Sequence, residues 1–220
     1  MTLYGIDAHS GGQLVPAVDP PGGLALFYYH ADEASPNVKP GLMLRRFDTT
    51  TWKPFNEVFV EQQGDYGFAI APGPVVAQKN ADGIGYAVTW RGPVENDGGY
   101  ITATWIRLID AQGSPAGGSV EIDPPSAYPG TGATVAWSGA SFIVASNSRA
   151  CPGDDAACAN RLTVSSLSKL GLTKTAAAAP NAGMRARTPL LRSYGGQTWA
   201  AWREQLITAK PENDPPSIVR

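Results

Sequence analysis

The sequence predicts an all-β chain built from repeated four-stranded units, on three observations. Apolar runs are short, and turn-forming Gly (25) and Pro (19) punctuate all 220 residues instead of collecting in a tail. The runs come in pairs around Gly-rich turns. The pairs recur at intervals of 56–61 residues. No segment sustains apolar residues at the 3.6-residue helical spacing. At least twelve strands, and no helix longer than two turns, are therefore expected.

The paired strands set the repeat. Gln13–His30 (QLVPAVDPPGGLALFYYH), Pro74–Arg91 (PVVAQKNADGIGYAVTWR), Ala133–Asn147 (ATVAWSGASFIVASN) and Pro189–Arg203 (PLLRSYGGQTWAAWR) each read as strand, turn, strand. Aligned on the end of the second strand, Tyr29, Trp90, Ser146 and Trp202 are equivalent. Third strands follow at Leu42–Phe47, Thr102–Ile109 and Leu162–Leu167. Turns DTTTWKP, DAQGSPAGG and SKLGLTK come next, then fourth strands EVFVE (57–61), SVEID (119–123) and TAAAA (175–179).

Four short strands per repeat is the composition of a β-propeller blade. One such meander cannot bury both of its faces, so neighbouring units must stack on it. The chain reads as a single propeller domain over residues 1–220, with about four blades at 13–61, 74–123, 133–179 and 189–220. Residues 4–7 (YGID) resemble SVEID and are read as the outer strand of a preceding or closing blade. Two arrangements follow: a ring of four closed by that N-terminal strand, or part of a ring of six to eight blades. The second is preferred, because the sequence stops at PPSIVR, inside the last third strand. A two-sheet sandwich is the alternative architecture, but it does not require regular internal repetition.

Composition narrows the function. A net charge of −2 and a pI near 5.7 leave no electrostatic footprint for nucleic acid. No apolar run reaches the ~18 residues of a membrane span. Residues 1–10 have neither the basic nor the apolar region of a signal peptide. No G-x-S-x-G, H-E-x-x-H or phosphate-binding loop is present. SYGGQTW (193–199) lacks the Asp and the length of a sialidase Asp-box and reads as a hairpin turn.

The segments ATVAWSGASFIVAS and TATWIRLIDAQGSPAGGSVEI resemble the repeats of secreted and surface β-propeller proteins of bacteria. Those repeats follow a V-A-W-x-G … R-L-D-A-x-G-x-P pattern. Residues 74–146 match it best; 13–61 and 161–206 match more loosely, and Ser146 stands where Trp is usual. The resemblance implies a propeller in an extracellular, periplasmic or cell-surface location. It implies no particular chemistry, since fold does not dictate function.

Candidate sites lie in loops. Those between second and third strands are acidic in every repeat, and Asp32, Asp97, Asp155 and Asp214 recur at intervals of 65, 58 and 59 residues. In a propeller these loops share one face, where carboxylates suit Ca²⁺. Asp, Asn, Gly and Pro are also ordinary turn residues, which is the plainer reading. Cys151 and Cys158 have no His or further Cys near them, so a local disulfide is expected over a zinc site, with two unpaired thiols as the alternative.

Tyr66, Phe68, Tyr128, Arg185 and Arg187, in loops entering successive blades, are the ligand-contact candidates; packing over blade edges is the plainer role. Trp90, Trp105, Trp137, Trp199 and Trp202 are expected in the core between blades. The function expected is a non-catalytic binding or scaffolding propeller that recognises a protein or glycan. The rival is a secreted glycan or lactone hydrolase with carboxylates at the channel mouth.

Overall fold

A computed structural model describes residues 15–18, 23–30, 40–55, 57–62, 71–96, 99–126, 133–149, 160–206 and 218–219. All regular structure among them is β, in four antiparallel meanders that follow chain order. The first sheet holds β1 (Val15–Val18), β2 (Leu24–His30), β3 (Gly41–Phe47) and β4 (Val58–Gln62). The second holds β5 (Ala71–Ala77), β6 (Ile84–Asn96), β7 (Gly99–Asp110) and β8 (Val120–Ser126). The third holds β9 (Ala133–Trp137), β10 (Phe142–Arg149), β11 (Asn160–Ser168) and β12 (Gly171–Ala178). The fourth has three strands, β13 (Met184–Tyr194), β14 (Gln197–Leu206) and β15 (Ile218–Val219).

Local chemistry explains where the strands turn. Asp48 Oδ1 accepts the N–H groups of Thr50 and Thr51, both at 2.8 Å, after β3. Asp110 Oδ1 accepts those of Gln112 (2.9 Å) and Ser114 (2.8 Å) after β7. Ser168 Oγ accepts Leu170 N–H at 3.2 Å after β11. Each carries out the same capping at the end of a third strand. The Asp of the R-L-D-A pattern is thus a turn residue. Between β13 and β14 the loop is two residues, Gly195 and Gly196, at φ of 60° and 75°. Positive φ at both positions is the hairpin geometry that favours glycine.

The sheets stack face to face in order. Phe27, Tyr29, Leu42 and Leu44 of the first pack with Tyr86, Val88 and Trp90 of the second. Phe27 and Tyr86 are wholly buried and meet edge to face at 5.6 Å. Ile84, Ala87, Ile106 and Leu108 of the second pack with Val135, Phe142 and Val144 of the third, beside an edge-to-face pair of Trp137 and Phe142 at 4.9 Å. Ala136, Ala145 and Leu162 of the third pack with Leu191 and Trp202 of the fourth. The first strands lie against each other in succession, β1 on β5, β5 on β9 and β9 on β13. Polar ties reinforce the stack: Arg107 donates to Val60 O and Glu61, and Arg46 Nη1 to Gln112 O at 2.8 Å. Among the described residues no ring closure joins the fourth sheet to the first, so the four sheets are compatible with a propeller without completing one.

Four expectations are corrected. The stretch VENDGG is mostly strand, since β6 runs to Asn96 and β7 begins at Gly99, with those two residues paired. Gly171–Lys174, read as turn, belongs to β12, because the Ser168 cap closes the turn within two residues. Tyr29 is not equivalent to Trp90. Tyr29 faces the second sheet and Trp90 faces the first, so the alignment slips by one residue and inverts the face. Trp199 is 65% exposed, whereas Trp90, Trp105, Trp137 and Trp202 pack into the inter-sheet cores. Trp202 lies three positions after Trp199, so alternation sends them to opposite faces.

Candidate binding site

The fourth sheet presents two unlike faces. Between Arg187↔Arg203 and Leu190↔Ala201 the register shifts, with Thr188 and Pro189 opposite Trp202 alone. Pro189 has no N–H for the ladder, and a bulge is where a strand tolerates it. The bulge keeps Arg185, Arg187, Leu190, Arg192 and Tyr194 of β13 on one face. Their partners Gln205, Arg203, Ala201, Trp199 and Gln197 on β14 share it. Leu191, Ala200 and Trp202 face the third sheet instead.

The first face is cationic and aromatic. Arg185 Nε and Arg187 Nε both donate to Gln205 Oε1, each at 3.0 Å, which fixes the two guanidinium groups side by side over a buried amide. Arg203 stands directly across from Arg187, and Arg192 across from Trp199. Arg192 and Arg203 are exposed, as are Leu190 (49%), Tyr194 (87%) and Trp199. Planar guanidinium groups beside exposed aromatic rings suit carboxylate-bearing partners with apolar surface.

On the opposite side a cleft of about 390 Å³ opens between the third and fourth sheets. Ile143, Leu162, Val164 and Thr175–Ala178 line one wall, and Leu191, Thr198, Ala200 and Trp202 the other. Its lining is mostly apolar; the polar side-chain groups are the threonine hydroxyls and the indole of Trp202, whose buried Nε1 has no hydrogen-bond partner among the described residues. No family model, curated protein or solved structure matches this chain.

Of the predicted site residues, Arg185 and Arg187 are brought together as described, on a strand and not in a loop: β13 begins at Met184 because its ladder to β14 starts there. Tyr66, Phe68 and Tyr128, the acidic positions Asp32, Asp97, Asp155 and Asp214, and Cys151 and Cys158 lie outside the described residues. Among the described residues no cluster of three His, Cys, Asp or Glu side chains is placed to hold a metal. Sequence reasoning missed Arg192, Trp199 and Arg203. Their signal was present as alternation opposite Arg185 and Arg187, but the bulge at Thr188–Pro189 hides it from a simple count of two.

Proposed function

We propose that this chain is a non-catalytic binding or scaffolding β-propeller, exported to an extracellular, periplasmic or surface location, that recognises a protein or an acidic glycan. The observation that supports it best is the Arg–Trp–Tyr face on β13 and β14, where Gln205 Oε1 holds Arg185 and Arg187 side by side. Successive first strands in contact, as β1, β5, β9 and β13 are, suit blades converging on an axis. The resemblance to secreted bacterial propeller repeats agrees with both points. The Arg and Asp of that repeat pattern, Arg107 and Asp110, serve inter-sheet and turn contacts, which leaves recognition to residues outside the pattern.

Affinity electrophoresis tests the reading. Gels cast with alginate, an acidic polysaccharide, should retard the protein; gels cast with uncharged dextran should not. Replacing Arg185 and Arg187 by Gln together should abolish retardation while the fold persists. Equal mobility in all gels, with reducing ends released from the polysaccharide, would replace this reading by the hydrolase.

A further inference from the structure

The outer strand of each of the first three sheets carries a residue that its partner strand does not match. β3 pairs Leu42↔Glu61 and then Met43↔Phe59, which leaves Val60 extra. β7 pairs Thr104↔Asp123 and then Trp105↔Glu121, which leaves Ile122 extra. β11 pairs Val164↔Ala176 and then Ser165↔Lys174, which leaves Thr175 extra. β4, β8 and β12 are the edges of their sheets, with no strand beyond them among the described residues. Three edge strands of different sequence thus share one irregularity.

An unpaired edge is a template for another chain. Along a regular strand the outward N–H and C=O groups belong to every second residue, so an added strand can pair over its whole length. An extra residue breaks that alternation. In β12 it divides the edge into residues 171–174 and 176–178. Their outward groups are out of phase, so a straight partner strand fits one part or the other. β4 and β8 are cut into shorter pieces.

Two of the extra residues also make contacts that a regular ladder would not need. Val60 is wholly buried, and its carbonyl accepts Arg107 of the second sheet. Thr175 Oγ1 donates to Val164 O at 3.0 Å. β12, with eight residues, is the longest of the three edges, and Thr173, Lys174, Thr175, Ala176 and Ala177 are all exposed. The alanine side chains are too small to hold a second backbone away. That leaves the extra residue and the Lys174 charge to do so.

We propose that the extra residue in each outer strand keeps the rim of the stack from pairing with a second copy of this chain, and that Thr175 protects the edge most open to it. A second copy is the partner that fits, because β12 laid antiparallel on β12 satisfies the twofold symmetry of a dimer. The inference is independent of what the binding face recognises.

Deleting Thr175 tests it, since the deletion leaves every pair of the β11–β12 register in place. In sedimentation equilibrium the deletion variant should dimerise with a dissociation constant at least tenfold below that of the parent. Hydrogen exchange of the amides at 171–178 should slow at least tenfold in the dimer. Thr175→Ala, which keeps the extra residue and removes only the hydroxyl, should associate no more tightly than the parent. A folded deletion variant that associates like the parent would overturn the proposal. So would a dimer with unchanged exchange at 171–178, and so would equally tight association of Thr175→Ala, which would assign the effect to the hydroxyl. Loss of the parent's circular dichroism spectrum on deletion, with Thr175→Ala folded, would overturn it as well, by making the extra residue a requirement of the sheet itself.

Discussion

Arg187 on β13 and Arg203 on β14 are register partners on one face of the sheet, two like charges held directly opposite each other. Directly opposed like charges destabilise an antiparallel pair, and opposite charges contribute roughly 0.2–1 kcal/mol. Arg203→Glu should therefore stabilise the isolated protein in urea unfolding at low salt, with the gain shrinking at 1 M NaCl. It should also weaken alginate retardation. A variant less stable than the parent at low salt would mean that the two guanidinium groups are not repelling each other.

Arg107 joins two sheets. Its Nη1 donates to Val60 O and to Glu61 Oε2 at 3.1 Å, while Nε holds Gly117 O at 2.8 Å. Hydrogen bonds to charged groups contribute about 1.5–3 kcal/mol. Arg107→Ala should lower stability by about that amount. Arg107→Lys should recover little, because a single ammonium cannot reproduce the planar fork. Full recovery by Lys would assign the effect to charge alone.

Tyr28, buried in the first sheet, donates its hydroxyl to Glu57, which is also paired with Arg45. Burial first, then the Glu57 hydrogen bond and charge, raise the Tyr28 pKa above its ordinary value of 10.0. The folded state thus holds its proton more tightly than the unfolded one. The associated stability is complete below the unfolded pKa of about 10 and is lost as pH rises above it. Unfolding free energy measured from pH 8 to 11 should fall above pH 10, and Tyr28→Phe should flatten that fall.

Asp48 behaves in the opposite sense. Its pKa is lowered, first by the Thr51 backbone N–H and then by that of Thr50. Its contribution is present above the unfolded carboxylate pKa and disappears as pH falls through the folded one. Asp48→Asn, compared with the parent between pH 2 and 6, should make the acid limb of the stability curve shallower. An unchanged limb would show that the β3–β4 turn forms without the carboxylate.

The Ca²⁺ reading of the acidic loops and the disulfide, both expected from the sequence, have direct tests. Millimolar Ca²⁺ should raise Tm, and replacing Asp97 and Asp155 by Asn should remove the rise; no rise in the parent would leave these residues as turn formers. Denatured, unreduced protein produced in an oxidising compartment should titrate no thiols. Two thiols per chain would rule out the Cys151–Cys158 bond and weaken the exported assignment.

Much of the fold is local in origin and was legible. Val, Ile, Tyr and Trp runs bounded by DPPGG, NADGIG, SGA and YGG marked where strands begin and turn. Antiparallel meanders join sequence neighbours, so pairing β1 to β2 or β13 to β14 needs no long-range information. What the sequence by itself determined is therefore the order of the described strands, and the turn residues, Asp48, Asp110 and Gly195–Gly196 among them, that connect them. Only the tertiary structure decided which face each strand presents, because a one-residue slip or bulge inverts every side chain beyond it. That is why Tyr29 and Trp90 point toward each other, and why Trp199 reaches solvent while Trp202 is packed. It is also why Arg185, Arg187, Arg192 and Arg203 gather on one surface: the bulge at Thr188–Pro189 realigns a charge pattern that the linear order conceals.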